Sequence, residues 1–161
     1  MREPTVTTAV DAVEASGIEH DVIRHGPVSS VAEAAAARRV EIRDLVKTLV
    51  VRRAEDDYLF VLVPGDRAIS WPKLRALLGV NRLSMPDAAT ARDATGYERG
   101  TITPFGSRRP WPVIADETLR GRTVSLGAGE HGVALRVGAD AAVAALDGSF
   151  ADVTEPAGVK P

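Results

Sequence analysis

Apolar positions change their period several times along this chain, and each change predicts an element. Val6, Val10 and Val13 recur at helical spacing and Gly17 follows as a stop, so residues 5–16 read as a helix. Residues 19–25 alternate loosely and read as a strand. Ser30-Val31-Ala32-Glu33 is a capping box, in which the hydroxyl and the carboxylate each meet a free backbone donor; the alanine run to Arg39 then makes a second helix. Residues 45–52 and 58–63 are strongly apolar strands joined across a polar turn at 54–57, with Pro64-Gly65-Asp66 closing the hairpin. Ser70 caps a helix over 71–78, with Pro72 in its first turn and Gly79 past its end. A strand at 82–85 and a helix at 86–94 follow, then a loop over 96–106 with three glycines and Pro104. Strands at 113–115, 123–126, 133–137 and 150–153, a glycine turn at 127–132, a helix at 139–146 and a frayed tail at 155–161 complete the reading.

Most of these connections are too short for helical crossovers. The expected fold is therefore α/β of the α+β kind, with a mixed, largely antiparallel sheet and surrounding helices. At 161 residues, 45% hydrophobic and 26% charged, the chain reads as a single globular domain over 1–161. A formal charge of −2 excludes a protein that grips nucleic acid by bulk charge. The absence of cysteine excludes disulfides, thiolate metal sites and cysteine nucleophiles. No apolar run approaches a membrane span, and the N-terminus lacks an apolar signal core, so a cytoplasmic protein without a membrane partner is expected.

Of 20 basic residues, 17 are Arg, which draws attention to the three lysines, Lys47, Lys73 and Lys160. Lys47 shares a strand face with Leu45, Leu49 and Val51, while Val46, Thr48 and Val50 occupy the other. Both faces are apolar, which predicts a central strand. An ammonium there either meets a partner or pocket, or reaches solvent from near the strand end. The loop Gly96-Tyr97-Glu98-Arg99-Gly100-Thr101-Ile102-Thr103-Pro104-Phe105-Gly106 lets backbone approach a ligand, or is a plain connection. Gly127-Ala128-Gly129-Glu130-His131-Gly132 fits the dinucleotide pattern G-x-G-x-x-G, but the strand-like alternation after it leaves no helix to meet a pyrophosphate. A glycine turn is the better reading, with amides free to face an anion or simply turning the chain. His131 is a base, a donor to substrate or a turn residue. His20 and His25 fall on opposite strand faces and make no metal site. Arg108 and Arg109 beside Trp111 offer cations and an aromatic to a nucleic acid, or flank a buried Trp. Neither a nucleophile elbow nor a P-loop occurs.

The run Asp44-Leu-Val-Lys47-Thr-Leu-Val-Val, then Gly96-Tyr97-x-x-Gly100-x-x-x-Pro104-Phe105-Gly106, then Pro112-Val-Ile-Ala-Asp116, then Ser125-Leu-Gly127-x-Gly129-x-x-Gly132, resembles the YbaK/EbsC family. These are free-standing relatives of the bacterial prolyl-tRNA synthetase editing domain, and the resemblance extends from about Val6 to about Val153. It implies a barrel-like mixed sheet and an aminoacyl-tRNA deacylase that edits in trans, clearing a small amino acid such as Cys or Ala from tRNA(Pro). The implied partners are the tRNA 3′ acceptor end and a prolyl-type synthetase; a monomer is favoured, with no cofactor and no metal.

By the same resemblance Lys47 matches the family's functional lysine. Gly100 and Pro104 match its first glycine loop, and Gly127, Gly129 and Gly132 its second. Lys47, Gly100 and Gly129 are the expected catalytic positions, Lys47 anchoring the terminal nucleotide or the oxyanion while backbone near the two glycines orients the ester. Gly96, Tyr97, Pro104, Gly127, His131 and Gly132 are expected around the substrate. Water or a substrate group is the expected nucleophile. Arg108 and Arg109, or Arg38 and Arg39, are candidate acceptor-stem contacts. Gly127 and Ala134 stand where the cysteine-clearing type has a serine and an acid, and His131 is closer to the alanine-clearing type. A non-catalytic module holding tRNA ends is the competing class.

Overall fold

A computed structural model describes residues 8–157. Its elements in chain order are α1 (Thr8–Ser16), β1 (His20–Arg24), α2 (Val31–Ala37), β2 (Val46–Ala54), β3 (Asp57–Pro64), β4 (Arg67–Ile69), α3 (Trp71–Leu78), α4 (Ala88–Thr95), β5 (Val113–Asp116), β6 (Thr123–Gly127), β7 (Val133–Gly138), α5 (Ala139–Ala145), β8 (Ser149–Ala151) and β9 (Thr154–Pro156). Residues 5–7 of the first expected helix and 158–161 of the expected tail lie outside the described residues.

Local chemistry sets the helix ends. The Ser30 hydroxyl accepts the Glu33 N–H, while the Glu33 carboxylate reaches the Ser29 N–H, one residue earlier than a capping box requires. Ser70 caps α3, and Gly79 ends it in the left-handed conformation. Asp87 caps α4 by accepting the Thr90 N–H.

Three sheets form, ordered β1-β7-β6, β2-β3-β5-β8 and β4-β9. The β3–β5 and β5–β8 pairings are parallel and the others antiparallel. A bridge from Leu45 to Ser125 links the two larger sheets. The mixed, largely antiparallel architecture is as the sequence implies. The centre is β3, not β2. Tyr58, Phe60 and Leu62 enter one apolar cluster and Leu59, Val61 and Val63 the other, so β3 is buried on both faces.

Three expectations are corrected. First, β2 is the edge strand of its sheet despite its two apolar faces: the two clusters cover those faces, and only isolated bridges at Leu45 and Arg52 meet its outer side. Second, residues 82–85 make a single bridge, Ser84 to Arg52, in place of a strand. Third, Thr154–Pro156 is not frayed: it pairs with Arg67–Ile69, and the Ala157 N–H continues the contact to the Asp66 carbonyl.

Candidate active site

The outer edge of β2 is covered at two points. Arg52 exchanges main-chain hydrogen bonds of 2.7 and 3.1 Å with Ser84, and Leu45 bridges to Ser125 in β6. Between them β2 borders a cavity of about 270 Å³. The hairpin register places Thr48 and Val50 in phase with Arg52, so their N–H and C=O groups face this same edge. The other walls come from Met85 to Ala91 leading into and along α4, from Arg99, Gly100 and Ile102 of the first glycine loop, from Gly127, and from Arg38 at the end of α2.

The lining carries three cations, Arg38, Lys47 and Arg99, and no carboxylate. Lys47 is half-buried, and its Nζ donates to the main-chain carbonyl of Arg67 at 2.6 Å. Burial pulls its pKa below the usual lysine value, and the charge of Asp66 partly offsets this. Three donors on an ammonium leave two for a ligand. Beside it, the Thr48 hydroxyl is buried without a hydrogen-bond partner.

Of the residues singled out in sequence, Arg38, Lys47, Gly100 and Gly127 converge on this cavity. Gly127 sits so close to the first loop that a Cβ would lie 3.0 Å from the Ile102 carbonyl oxygen. The others support the cavity from behind or lie apart. The Gly129 N–H is already used, donating to the Thr101 carbonyl at 2.8 Å, so it holds the two loops together and is not free to orient an ester. Tyr97 lies in the core, with its hydroxyl 2.7 Å from the Phe105 carbonyl and its ring against Gly129. Pro104 is buried in the same loop, Gly96 caps α4, and Gly132 accepts the His25 N–H. None of these lines the cavity. His131 is exposed, 3.9 Å from the Glu98 carboxylate and close to Gly100.

Two of the four candidate stem contacts are engaged elsewhere. Arg108 donates to the Asp93 carbonyl, and Arg109 stacks 4.2 Å over the Trp111 ring. Trp111 in turn donates to the Ala94 carbonyl and meets Tyr58 edge-on. A richer basic surface adjoins the candidate site. Arg52, Arg53, Arg75 and Arg82 line a groove of about 520 Å³ that includes Ser84, next in sequence to the cavity's Met85. Sequence reading missed it, because these arginines are spread over 31 positions and only the fold gathers them. Arg99 lay unremarked inside the first glycine loop.

A sequence model of the aminoacyl-tRNA editing domain matches residues 25–143. The chain belongs to the aminoacyl-tRNA editing domain family. This editing domain is 26% identical over 131 residues to a protein of Enterococcus faecalis (strain ATCC 700802 / V583) named as a candidate Cys-tRNA(Pro)/Cys-tRNA(Cys) deacylase, EbsC, covering 81% of this chain and 78% of that one. It is 36% identical over 93 residues to the proline–tRNA ligase of Thermosipho africanus (strain TCF52B), covering 58% of this chain and 16% of the ligase. Its fold matches that of a candidate trans-editing enzyme for prolyl-tRNA synthetase with a TM-score of 0.86 at 26% identity, over 96% of this chain and 99% of the other. No helix among the described residues is long and apolar enough to cross a membrane.

Proposed function

We propose that this protein is a trans-editing deacylase that hydrolyses the ester of a mischarged small amino acid on tRNA, with tRNA(Pro)-type substrates first. The observation that carries the reading is the convergence of Lys47, Gly100 and Gly127 on one cationic cavity along an uncovered strand edge. An aminoacyl ester is activated relative to an amide, so the protein's task is to position the ester and stabilise charge. The cavity lining has no cysteine, serine or histidine, and its one hydroxyl, on Thr48, has no histidine or carboxylate among the lining residues to activate it as a nucleophile. Water, activated by the site or by a hydroxyl of the substrate, adds to the carbonyl carbon. The C–O bond to the ribose then breaks, the alcohol takes a proton, and the amino acid leaves as its carboxylate.

Lys47 supplies positive charge next to the developing oxyanion or the terminal nucleotide. The β2 edge at Thr48 and Val50 offers backbone groups to the aminoacyl moiety, replacing the role expected of the Gly129 amide. The apolar wall of Val46, Val50, Ala91 and Ile102 leaves space for a small side chain. Cationic walls suit an approaching nucleic-acid end, and the adjoining arginine groove suits the phosphates of its stem.

A panel of mischarged tRNAs carrying Ala, Cys, Ser and Thr on several tRNA species tests the reading. Release of free amino acid from at least one is expected, and Lys47→Ala lowers that rate by about 10²–10³ with the fold intact. Tight binding in a gel shift with no release from any substrate would make the protein a tRNA-end binding module instead.

A further inference from the structure

Arg38 is a cation without a counter-charge. Its backbone is fixed at the end of α2, where its N–H donates to the Ala34 carbonyl and its own carbonyl accepts from Arg136 Nη2. The side chain turns into the cavity wall. There Nη1 makes one long contact, 3.4 Å to the Ser125 hydroxyl, and Nε is buried with no partner. Among the described residues no carboxylate forms an ion pair with it, and none lines the cavity. Burial disfavours its charged form, yet a guanidinium does not give up its proton in a protein. A half-buried charge with a buried, unpartnered Nε favours an anion, and here the cavity's occupant is the group placed to bring it.

The occupant's chemistry narrows the anion. In an aminoacyl-tRNA the amino acid's carboxyl is tied up in the ester and its amino group is cationic. The anion nearest the ester is the phosphodiester that joins the last two nucleotides. Its two unbridged oxygens suit the planar donor fork of an arginine guanidinium. We propose that Arg38 binds the 5′-phosphate of the terminal adenosine and so sets how deep the ester enters the cavity. This rests on the reading that a tRNA end occupies the site, and it gives Arg38 a place in the cavity instead of on the acceptor stem.

The test uses adenosine 5′-monophosphate, adenosine and inorganic phosphate as probes on the intact protein, with binding followed by NMR titration. The monophosphate is expected to bind about tenfold or more tighter than adenosine, and inorganic phosphate to displace it only at far higher concentration. Arg38→Gln should reduce the monophosphate advantage to near unity, and Arg38→Lys should retain part of it. The Arg38 Nε–H resonance of the unmodified protein should shift on titration with the monophosphate, a readout that needs no variant to fold. An unchanged advantage in Arg38→Gln, an unmoved Nε–H at saturation, or equal potency of inorganic phosphate overturns the proposal. These measurements need no turnover, so loss of the deacylase reading and loss of the Arg38 assignment register separately.

Discussion

The Lys47 ammonium rests on the main-chain carbonyl of Arg67, 2.6 Å away. That carbonyl belongs to β4, and β4 is held in place by β9 at the end of the described chain. The Arg67 guanidinium donates through Nε to the Thr154 hydroxyl at 2.6 Å and through Nη2 to the Thr154 carbonyl at 3.3 Å. It also lies 3.9 Å from the buried Asp116 carboxylate. Asp116 accepts from the Val153 N–H and from both donors of Thr118, and so fixes where β9 begins. The lysine's position is thereby tied to residues more than 100 positions downstream in sequence.

Thr154→Val tests this tie, since it removes one hydroxyl and keeps the side-chain shape. The expected result is a fall in kcat of about tenfold with KM unchanged, because the lysine is mispositioned while the cavity remains. The Lys47 Nζ signal, one of only three lysine signals in the chain, should titrate nearer the ordinary lysine value. An unchanged Lys47 titration with full activity would reduce Thr154 to a packing residue.

Asp116 gives a pH signature. Burial alone would raise its pKa, and hydrogen bonds from Thr118, Thr154 and Val153 outweigh that and hold it below the usual carboxylate value. A depressed folded-state pKa contributes stability above the unfolded pKa and loses it as pH falls through the folded one. Asp116→Asn is therefore expected to cost about 1–3 kcal/mol at neutral pH, with the difference narrowing as pH falls below about 4. Urea unfolding of both proteins at pH 7 and at acid pH checks the sign.

Gly129→Ala should damage the junction of the two glycine loops. Gly129 has φ +82°, and an added Cβ would lie 2.5 Å from Tyr97 Cε1. The ring is tethered through its hydroxyl to the Phe105 carbonyl and to Thr8, so it has little room to retreat. A loss of about 3 kcal/mol is expected from backbone strain and overpacking together. A melting temperature equal to that of the unmodified protein would mean the loops do not depend on this contact.

The arginine groove predicts a salt effect. Replacing Arg52 and Arg82 with Ala together should weaken tRNA binding across tRNA species and lower the slope of log affinity against log salt by about two. Arg108→Ala should leave both unchanged, since that side chain faces the Asp93 carbonyl at the far end of α4. Equal losses in the two variants would return the stem contact to Arg108.

Local signals carried much of the fold. The Ser30 and Ser70 caps, the Gly79 stop and the 54–57 turn work through neighbours a few residues apart, so they were legible in sequence. The family motifs likewise marked Lys47, Gly100 and Gly127, which share the cavity. Burial and pairing partners depend on residues far away in the chain, and there the sequence misled. The apolar faces of β2 did not reveal that its outer edge is open, the short run at 154–156 did not announce Arg67–Ile69 as its partner, and Tyr97 read as a ligand contact although its ring belongs to the core. What the sequence by itself determined was the five helices and seven of the nine strands among the described residues, and the identity of the lysine and glycine loops, because capping, periodicity and turn chemistry act over a few residues. Only the tertiary structure decided that Arg38 joins Lys47, that Gly129 binds a loop and not a ligand, and that four scattered arginines share a groove, because those relations exist only once distant strands have paired.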